Sequence, residues 1–225
     1  MKFFHVGDLH LGKQLHGYDL IKDQEHMLEE LLSYIKKEQP DAVLIAGDIY
    51  DRAVPSGTAM QLLEHFFIRA DELAKNQKAV EIILIAGNHD AAKRLQYGSS
   101  FMKRHHIHIA VMPPQQEDAN LEQVTLTDQE GVVHFYLLPY TKPGMIRHWV
   151  EQEELANTQD AVKFLLEREQ IDWNERNVLL SHQFYLHANE DTVLCDSETP
   201  SFSVGGLDSI ATTFVDKFDY VALGH

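Results

Sequence analysis

Short unbroken apolar runs alternate along the chain with longer stretches in which apolar residues recur every three or four positions. The runs are residues 3–6, 42–46, 82–86, 133–138, 178–181 and 220–223, rich in Val, Ile, Leu and aromatics and mostly without alternation. A strand that is apolar on both sides is buried on both faces, so these runs predict strands inside a covered sheet. Between them, residues 19–37 predict an amphipathic helix with Met27, Leu28, Leu31, Leu32 and Ile35 on one side, closed off by Pro40. Residues 56–78 predict a second, with Ser56 as N-cap and Met60, Leu62, Leu63, Phe66 and Phe67 as its buried stripe. Residues 157–169 predict a third, carrying Ala161, Val162, Leu165 and Leu166.

Strand and helix in this order imply an α/β fold with at least a partly parallel sheet. The middle of the chain is less regular. Pro113-Pro114 through Asn120 reads as an exposed loop, and residues 124–126 with 133–138, around Gly131, as a hairpin. Residues 197–209, with Pro200 and Gly205-Gly206, read as another loop. There is no internal repeat and no clean domain boundary, and 225 residues suit one substantial domain.

Polar chemistry collects where the apolar runs stop. Residues 3–6 lead into Gly7-Asp8-Leu9-His10, residues 42–46 into Gly47-Asp48-Ile49-Tyr50-Asp51, and residues 82–86 into Gly87-Asn88-His89-Asp90. Residues 178–181 lead into His182, and residues 220–223 into Gly224-His225. Five strands thus end in a carboxylate, an amide or an imidazole, at the carboxyl ends where α/β sheets gather their ligands. Glycine before three of these groups is expected to let the backbone turn sharply while the side chain enters a shared crevice. Each piece alone has an ordinary explanation: strand-end hydrogen bonding for Asp8 and His10, a turn for Gly47-Asp48. Their conjunction, each behind a buried run, points to a functional site.

The residue types suit metal chemistry. Two divalent cations about 3.5–4 Å apart can polarise a phosphoryl group, lower the pKa of a water between them and steady the leaving oxygen. Such a pair needs a bridging carboxylate together with oxygen and imidazole ligands. Mixed Asp, Asn and His ligation fits manganese, iron or zinc better than calcium. The motifs hold no thiolate, which argues against a structural zinc cage.

Charge complicates the picture. With 19 Lys and Arg against 35 Asp and Glu, the net charge is −16, whereas holding nucleic-acid phosphates calls for a basic surface. Bound cations would offset only about four charges, so a basic surface would have to come from a partner or a further domain. No apolar run reaches the roughly 18 residues that span a bilayer, and the N-terminus turns polar too early for a signal peptide. The single cysteine, Cys195, excludes an internal disulfide framework, fits a reducing cytoplasm, and reads as a structural bystander. The tract Arg104-His105-His106-Ile107-His108 lacks a strand-end carboxylate and reads as surface or packing. His187 either lines a substrate path or belongs to a loop.

The series Asp-x-His, Gly-Asp-x-x-Asp, Gly-Asn-His-Asp, a lone His after a strand and then Gly-His resembles the calcineurin-like metallophosphoesterases. Within that superfamily, Gly7-Asp8-Leu9-His10-Leu11-Gly12-Lys13, Gly47-Asp48-Ile49-Tyr50-Asp51-Arg52, Gly87-Asn88-His89-Asp90 and Ser181-His182-Gln183 resemble the SbcD nucleases. These are bacterial relatives of the recombination nuclease that works with a Rad50-like ATPase. The resemblance covers essentially residues 1–225 as one nuclease domain and implies a four-layer αββα sandwich with mixed sheets. It implies that Asp8 and His10 hold one metal, that Asp48 bridges, and that Asn88, His182 and His225 hold the other, with Mn2+ as the expected ion. His89 would protonate the leaving oxygen or stabilise the transition state, and Asp90 would orient His89. Lys13, Asp51, Arg52 and Arg94 are candidate substrate contacts. Asp51 is also a candidate for structuring the site, and the three cations have an ordinary reading as solvated surface charges.

The family motif reads Gly-His-x-His, and this chain stops at its first histidine. The expectation is a domain incomplete at the C-terminus, one ligand short at the Asp8/His10 position and weakened in metal binding and activity. It would lack the later strands, the capping domain and the SbcC-binding region. The activity implied is that of a manganese-dependent DNA nuclease in double-strand end processing, replication, recombination and repair. It would act as a 3′–5′ exonuclease and a single-strand or hairpin endonuclease, in the cytoplasm, as a homodimer with an SbcC-type (Rad50-like) ATPase. One alternative is a phosphoesterase for small nucleotides, phosphomonoesters or phosphoproteins, which the acidic composition favours. Another is a catalytically weak dimerisation scaffold using the helix at 56–78, with Phe66-Phe67 either exposed for contact or buried against the sheet.

Overall fold

Two four-stranded sheets lie face to face, each covered on its outer side by helices. The computed structural model describes residues 1–76, 79–150, 155–187, 202–203, 206–207 and 209–225; Lys78, Cys195 and most of the loop expected at 197–209 lie outside the described residues. The first half runs β1 (Phe3–Val6), a short hairpin β2 (Gln14–Leu15) and β3 (Tyr18–Asp19), α1 (Ile21–Glu38), β4 (Ala42–Ala46), α2 (Gly57–Asn76), β5 (Glu81–Ile85), α3 (Ala92–Leu95), α4 (Ser99–Met102) and β6 (Ile107–Ala110). The second runs β7 (Glu122–Asp128), β8 (Gly131–Leu138), α5 (Pro143–Ile146), α6 (Thr158–Glu167), β9 (Arg176–His182), β10 (Tyr185–Leu186), β11 (Phe202–Ser203), β12 (Gly206–Leu207), β13 (Ile210–Ala211) and β14 (Tyr220–Gly224).

The first sheet has the order β1-β4-β5-β6, every pair parallel. The second has the order β14-β9-β8-β7; its first three strands are parallel, and β7 pairs antiparallel with β8 as the hairpin pattern predicts. Parallel neighbours need crossovers, which α1 and α2 provide in the first sheet. Side chains alternate across each strand. Leu44, Ile83 and Ile85 face inward against Phe135, Leu137 and Leu180 from the other sheet. Val43, Ile45, Ile82 and Leu84 face outward against Leu28, Leu32, Leu63 and Phe66 of α1 and α2. Tyr136, Leu138 and Leu179 pack against Ala161, Val162 and Leu165 of α6. With both faces of each sheet covered, continuous apolar runs and a four-layer αββα sandwich are one observation seen twice.

The helix ends follow local chemistry. Ser56 Oγ accepts the Ala59 N–H at 3.1 Å and caps α2, and Asn157 Oδ1 accepts the Asp160 N–H at 2.9 Å and caps α6. Gln39 ends α1 in the left-handed conformation (φ 46°), donating its N–H to Ile35 O just before Pro40. One stripe residue departs from expectation: Met60 is 50% exposed, and the buried face of α2 runs through Ala59, Leu62, Leu63, Phe66, Phe67 and Ala70. The Phe66-Phe67 pair is therefore core, which removes it as a contact surface. Strands β5 and β9 begin earlier than their apolar runs because their polar leading residues are paired. Glu81 accepts from His106 and His108, both at 2.7 Å, and the Arg176 guanidinium binds Asp128. The histidine tract is thus a packing device, with His105 on Asp71 at 3.2 Å.

The edges of the two sheets are joined beside the strand ends. His5 on β1 reaches β14, with Nε2 3.0 Å from Leu223 O and Nδ1 3.1 Å from the Tyr220 hydroxyl. Nε2–H therefore donates to the carbonyl, and Nδ1 accepts from the phenol. Burial lowers the His5 pKa against the opposing pull of Leu223 O and Asp8, which keeps the ring neutral for both bonds. No described helix is long and apolar enough to cross a membrane.

Candidate metal centre

The parallel strands β1, β4, β5, β9 and β14 all present their carboxyl ends at the same edge of the sandwich, so their trailing residues meet there. The first loop is held to the second by Asp8 N–H to Gly47 O (3.1 Å), His10 N–H to Asp48 O (2.9 Å) and Leu11 N–H to Ile49 O (2.9 Å). Asp8, His10 and Asp48 all have positive φ (55°, 43° and 47°). Non-glycine residues in this region carry a cost of order 1 kcal/mol each, and they persist where the surroundings over-determine them.

Asp48 is the hub. It is 2% exposed, and its Oδ1 accepts the backbone N–H of His89 at 2.9 Å. Its Oδ2 faces three imidazoles: His182 Nε2 at 3.4 Å, His10 Nε2 at 3.6 Å and His89 Nε2 at 4.0 Å. Two groups of donor atoms mutually within 4.8 Å follow, one from His10, Asp48 and His89, the other from Asp48, His182 and His225. They share Asp48 alone, so one buried carboxylate lies between two sets of nitrogen donors.

His182 is fully buried. Its Nδ1 lies 2.7 Å from Ala46 O, which only accepts, so Nδ1 carries a proton and the neutral ring offers its Nε2 lone pair to the site. That lone pair points at Asn88 Oδ1 (3.0 Å) and Asp48 Oδ2, both acceptors. Three electron-rich atoms converging on one point fit a cation. A proton there satisfies the same geometry: burial depresses the His182 pKa, but the hydrogen bond to Asp48 and its charge outweigh burial and leave it raised. His10 and His225 are lowered, chiefly by burial, and so are neutral donors. His10 Nδ1 is buried with no hydrogen-bond partner, 3.6 Å from Asp51 Oδ1. The residues present therefore fit divalent cations bound by mixed nitrogen and oxygen donors.

Asp8 stands at the margin. Its Oδ2 accepts the His225 N–H at 3.0 Å, and its Oδ1 is 3.9 Å from His10 Nε2. His89 is half exposed, with its ring edge-on to His10 (4.9 Å, 88°). Here the structure corrects an expectation. The His89 ring is oriented by the Asp51 carbonyl, which lies 2.8 Å from Nδ1, whereas Asp90 accepts from the backbone N–H groups of Gly87 (2.9 Å), Ile49 (3.0 Å) and Tyr50 (3.0 Å). Asp90 thus staples the β4 and β5 loops together, and Asp51 structures the site through its main chain. Burial raises the Asp90 pKa against those three bonds. Arg52 lies 3.6 Å from Asp51 Oδ2 and is exposed, as are Lys13 and Arg94, the latter on α3. A cavity of about 280 Å³ opens beyond Asp51, lined by Gly12, Gln14, Arg52, Ser56 and Thr58 among others. His187, exposed, meets Thr212 Oγ1 at 3.2 Å.

Three motif glycines serve close approach. A Cβ on Gly47 would overlap the His182 ring, one on Gly87 would overlap the Asp48 carboxylate, and one on Gly224 would overlap Ala46 O, the acceptor for His182. Only Gly47 among these also has positive φ (89°). The expected role of glycine as a turn-former thus holds at one position, and space decides the other two.

Two side chains escaped the sequence reading. Gln24 of α1 is buried; its amide donates to Leu9 O (3.1 Å) and His10 O (2.8 Å), and its oxygen accepts the Gly12 N–H (2.9 Å). Its signal was a polar residue one turn before Leu28 in the apolar stripe. Tyr140 follows β8, and its ring centroid is 6.3 Å from those of both His182 and His225. Here the signal was a sixth buried strand ending at the same edge.

The sequence profile of calcineurin-like phosphoesterases matches residues 1–225. The chain belongs to that family. Among its relatives, the calcineurin-like phosphoesterase that forms the SbcD component of nuclease SbcCD in Staphylococcus epidermidis is 33% identical over 227 residues. That alignment takes in the whole of this chain and 56% of the relative, so the chain spans little more than half the relative's length. As a calcineurin-like phosphoesterase the protein is a hydrolase, of a family that uses divalent metal ions, and its clustered His and Asp groups could bind them.

Proposed function

We propose that this protein is a two-metal phosphodiesterase acting on DNA, with Mn2+ as the working ion. The observation that carries the reading is the shared Asp48 carboxylate between two nitrogen-donor sets. One ion would be held by Asp8, His10 and Asp48, with His89 beside it, and the other by Asp48, Asn88, His182 and His225. When bound, such ions polarise the phosphoryl group and supply a nucleophile near neutral pH. The chain's own part is to fix the donors and move a proton. His89, with its Nδ1 held by the Asp51 carbonyl, would give a proton from Nε2 to the leaving oxygen. Asp90 keeps the two loops in register. The likeness to a nuclease component over the whole chain supports DNA as substrate, cut as a 3′–5′ exonuclease and as a single-strand or hairpin endonuclease. An SbcC-type ATPase, homodimeric pairing and a role in DNA end processing belong to the same reading.

The net charge of −16 favours a second reading, a phosphoesterase for small nucleotides or phosphomonoesters. A manganese-dependent assay offering single-stranded DNA, hairpins, cyclic nucleotides and bis(4-nitrophenyl) phosphate separates the two. Cleavage of DNA at least tenfold more efficient than of the small substrates is expected; the reverse order would exclude the DNA reading.

A further inference from the structure

The segment after β8 is locked in place. Tyr140 N–H donates to Ala86 O (2.9 Å), Thr141 Oγ1 to Pro139 O (2.8 Å), and Gln183 Nε2 to Thr141 O (3.1 Å). Thr141 is fully buried, and Lys142 is extended (φ −121°, ψ 154°) ahead of Pro143, which opens α5. Alternation therefore puts Tyr140 and Lys142 on the same outward side, and the Lys142 ammonium lies 5.5 Å from the Tyr140 ring centroid. Among the described residues Lys142 has no carboxylate within 4.0 Å. The Tyr140 ring adjoins His182 and His225, and Phe184 meets His225 from another side (6.5 Å, 89°).

We propose that Tyr140 and Lys142 form a nucleotide-binding wall, the ammonium taking a phosphate next to the scissile one and the aromatic ring packing on a base. This inference rests on the reading of the site as a phosphodiesterase acting on DNA and deepens it. A substrate ending at its scissile phosphate would leave both groups idle. A strand that continues past it presents a second anion and a planar ring, which an ammonium and an aromatic side chain match. The site itself is lined by Asp8, Asp48, Asp51 and Asp90, so a rigidly placed cation at its edge offsets their repulsion of the neighbouring phosphate.

The test is equilibrium binding of a fluorescein-labelled single-stranded oligothymidylate, followed by anisotropy in EDTA over a range of salt. Lys142→Met is expected to weaken binding about tenfold and to flatten the plot of log affinity against log salt by about 0.7, the value for one phosphate contact on a single strand; Lys142→Arg should restore both. Tyr140→Leu is expected to weaken binding about fivefold and Tyr140→Trp to restore it. With Mn2+, the loss in kcat/KM from Lys142→Met should be larger on the oligonucleotide than on bis(4-nitrophenyl) phosphate. An unchanged salt slope, or equal losses on both substrates, in a variant that melts like the parent would overturn the wall alone. A parent protein that hydrolyses the chromogenic diester but neither binds nor cuts the oligonucleotide would overturn the DNA reading with it.

Discussion

Gln24, on the first long helix, donates its side-chain amide to the carbonyl oxygen of His10 at 2.8 Å. With its bonds to Leu9 O and Gly12 N–H, it fixes the backbone on both sides of a histidine that adopts positive φ. Gln24→Leu should leave three backbone groups unpaired and cost about 1–3 kcal/mol of stability. Because support of a ligand typically governs about 10–100-fold of metal affinity, Mn2+ binding should fall within that range. Urea unfolding and titration calorimetry check the two effects separately, and a variant that loses stability but keeps Mn2+ affinity would confine Gln24 to the fold.

Asp48→Asn should affect both donor sets. The expected result is a loss of at least about 10²-fold in hydrolysis of bis(4-nitrophenyl) phosphate, by analogy with the size of ligand-support effects, together with weakened binding of both ions. Asn88→Ala should weaken one ion only. Calorimetric stoichiometry decides between them: a single lost site in Asp48→Asn contradicts a shared carboxylate.

Gly47→Ala and Gly224→Ala each place a methyl where the His182 ring or its Ala46 acceptor stands. Overpacking of this kind costs about 1–3 kcal/mol, with added backbone strain at Gly47. Any folded fraction should show a displaced His182, read as lost Mn2+ affinity. Gly144→Ala, which meets nothing within 4 Å, should stay within about 0.5 kcal/mol of the parent in urea.

The Glu81 pair sets an acid-side prediction at the opposite end of the strands. Burial pushes the Glu81 carboxyl up, but its bonds to His108 and His106 and their charges prevail and lower it below its ordinary value near 4.5. An acid with a depressed folded-state pKa contributes stability that is fully present above the ordinary value and is lost as pH falls through the folded one. Glu81→Gln should therefore cost stability at pH 6–7, with the gap to the parent closing below about pH 4.5. Urea midpoints at several pH values measure it, and a gap that widens in acid would reverse the assignment.

Much of the architecture was legible because burial on both faces leaves an unmistakable run such as residues 42–46. The polar strand ends were equally legible, since a buried strand has little reason to finish in Asp-Ile-Tyr-Asp or Asn-His-Asp. Pairing was what the sequence concealed. Asp90 looked like a partner for the adjacent His89, yet its oxygens go to amides 40 and 41 residues away as well as to Gly87. Met60 looked buried by its spacing, but the buried arc of the second long helix is centred on Leu63 and Phe66 and leaves position 60 on the solvent side. Gln24 and Tyr140 were hidden because one polar residue in a stripe and one aromatic after a proline look ordinary until the loops they hold are seen.

The bond between Asp8 and the His225 amide joins positions 217 residues apart. Contacts of such separation carry the largest loop-closure cost and close late in folding. The donor sets need residues from both sheets, so a chain in which the sheets have not yet docked holds no shared carboxylate between imidazoles. The chemistry is thereby withheld from partly folded molecules, and recovery of metal affinity after denaturant jump is expected to trail the recovery of helix signal.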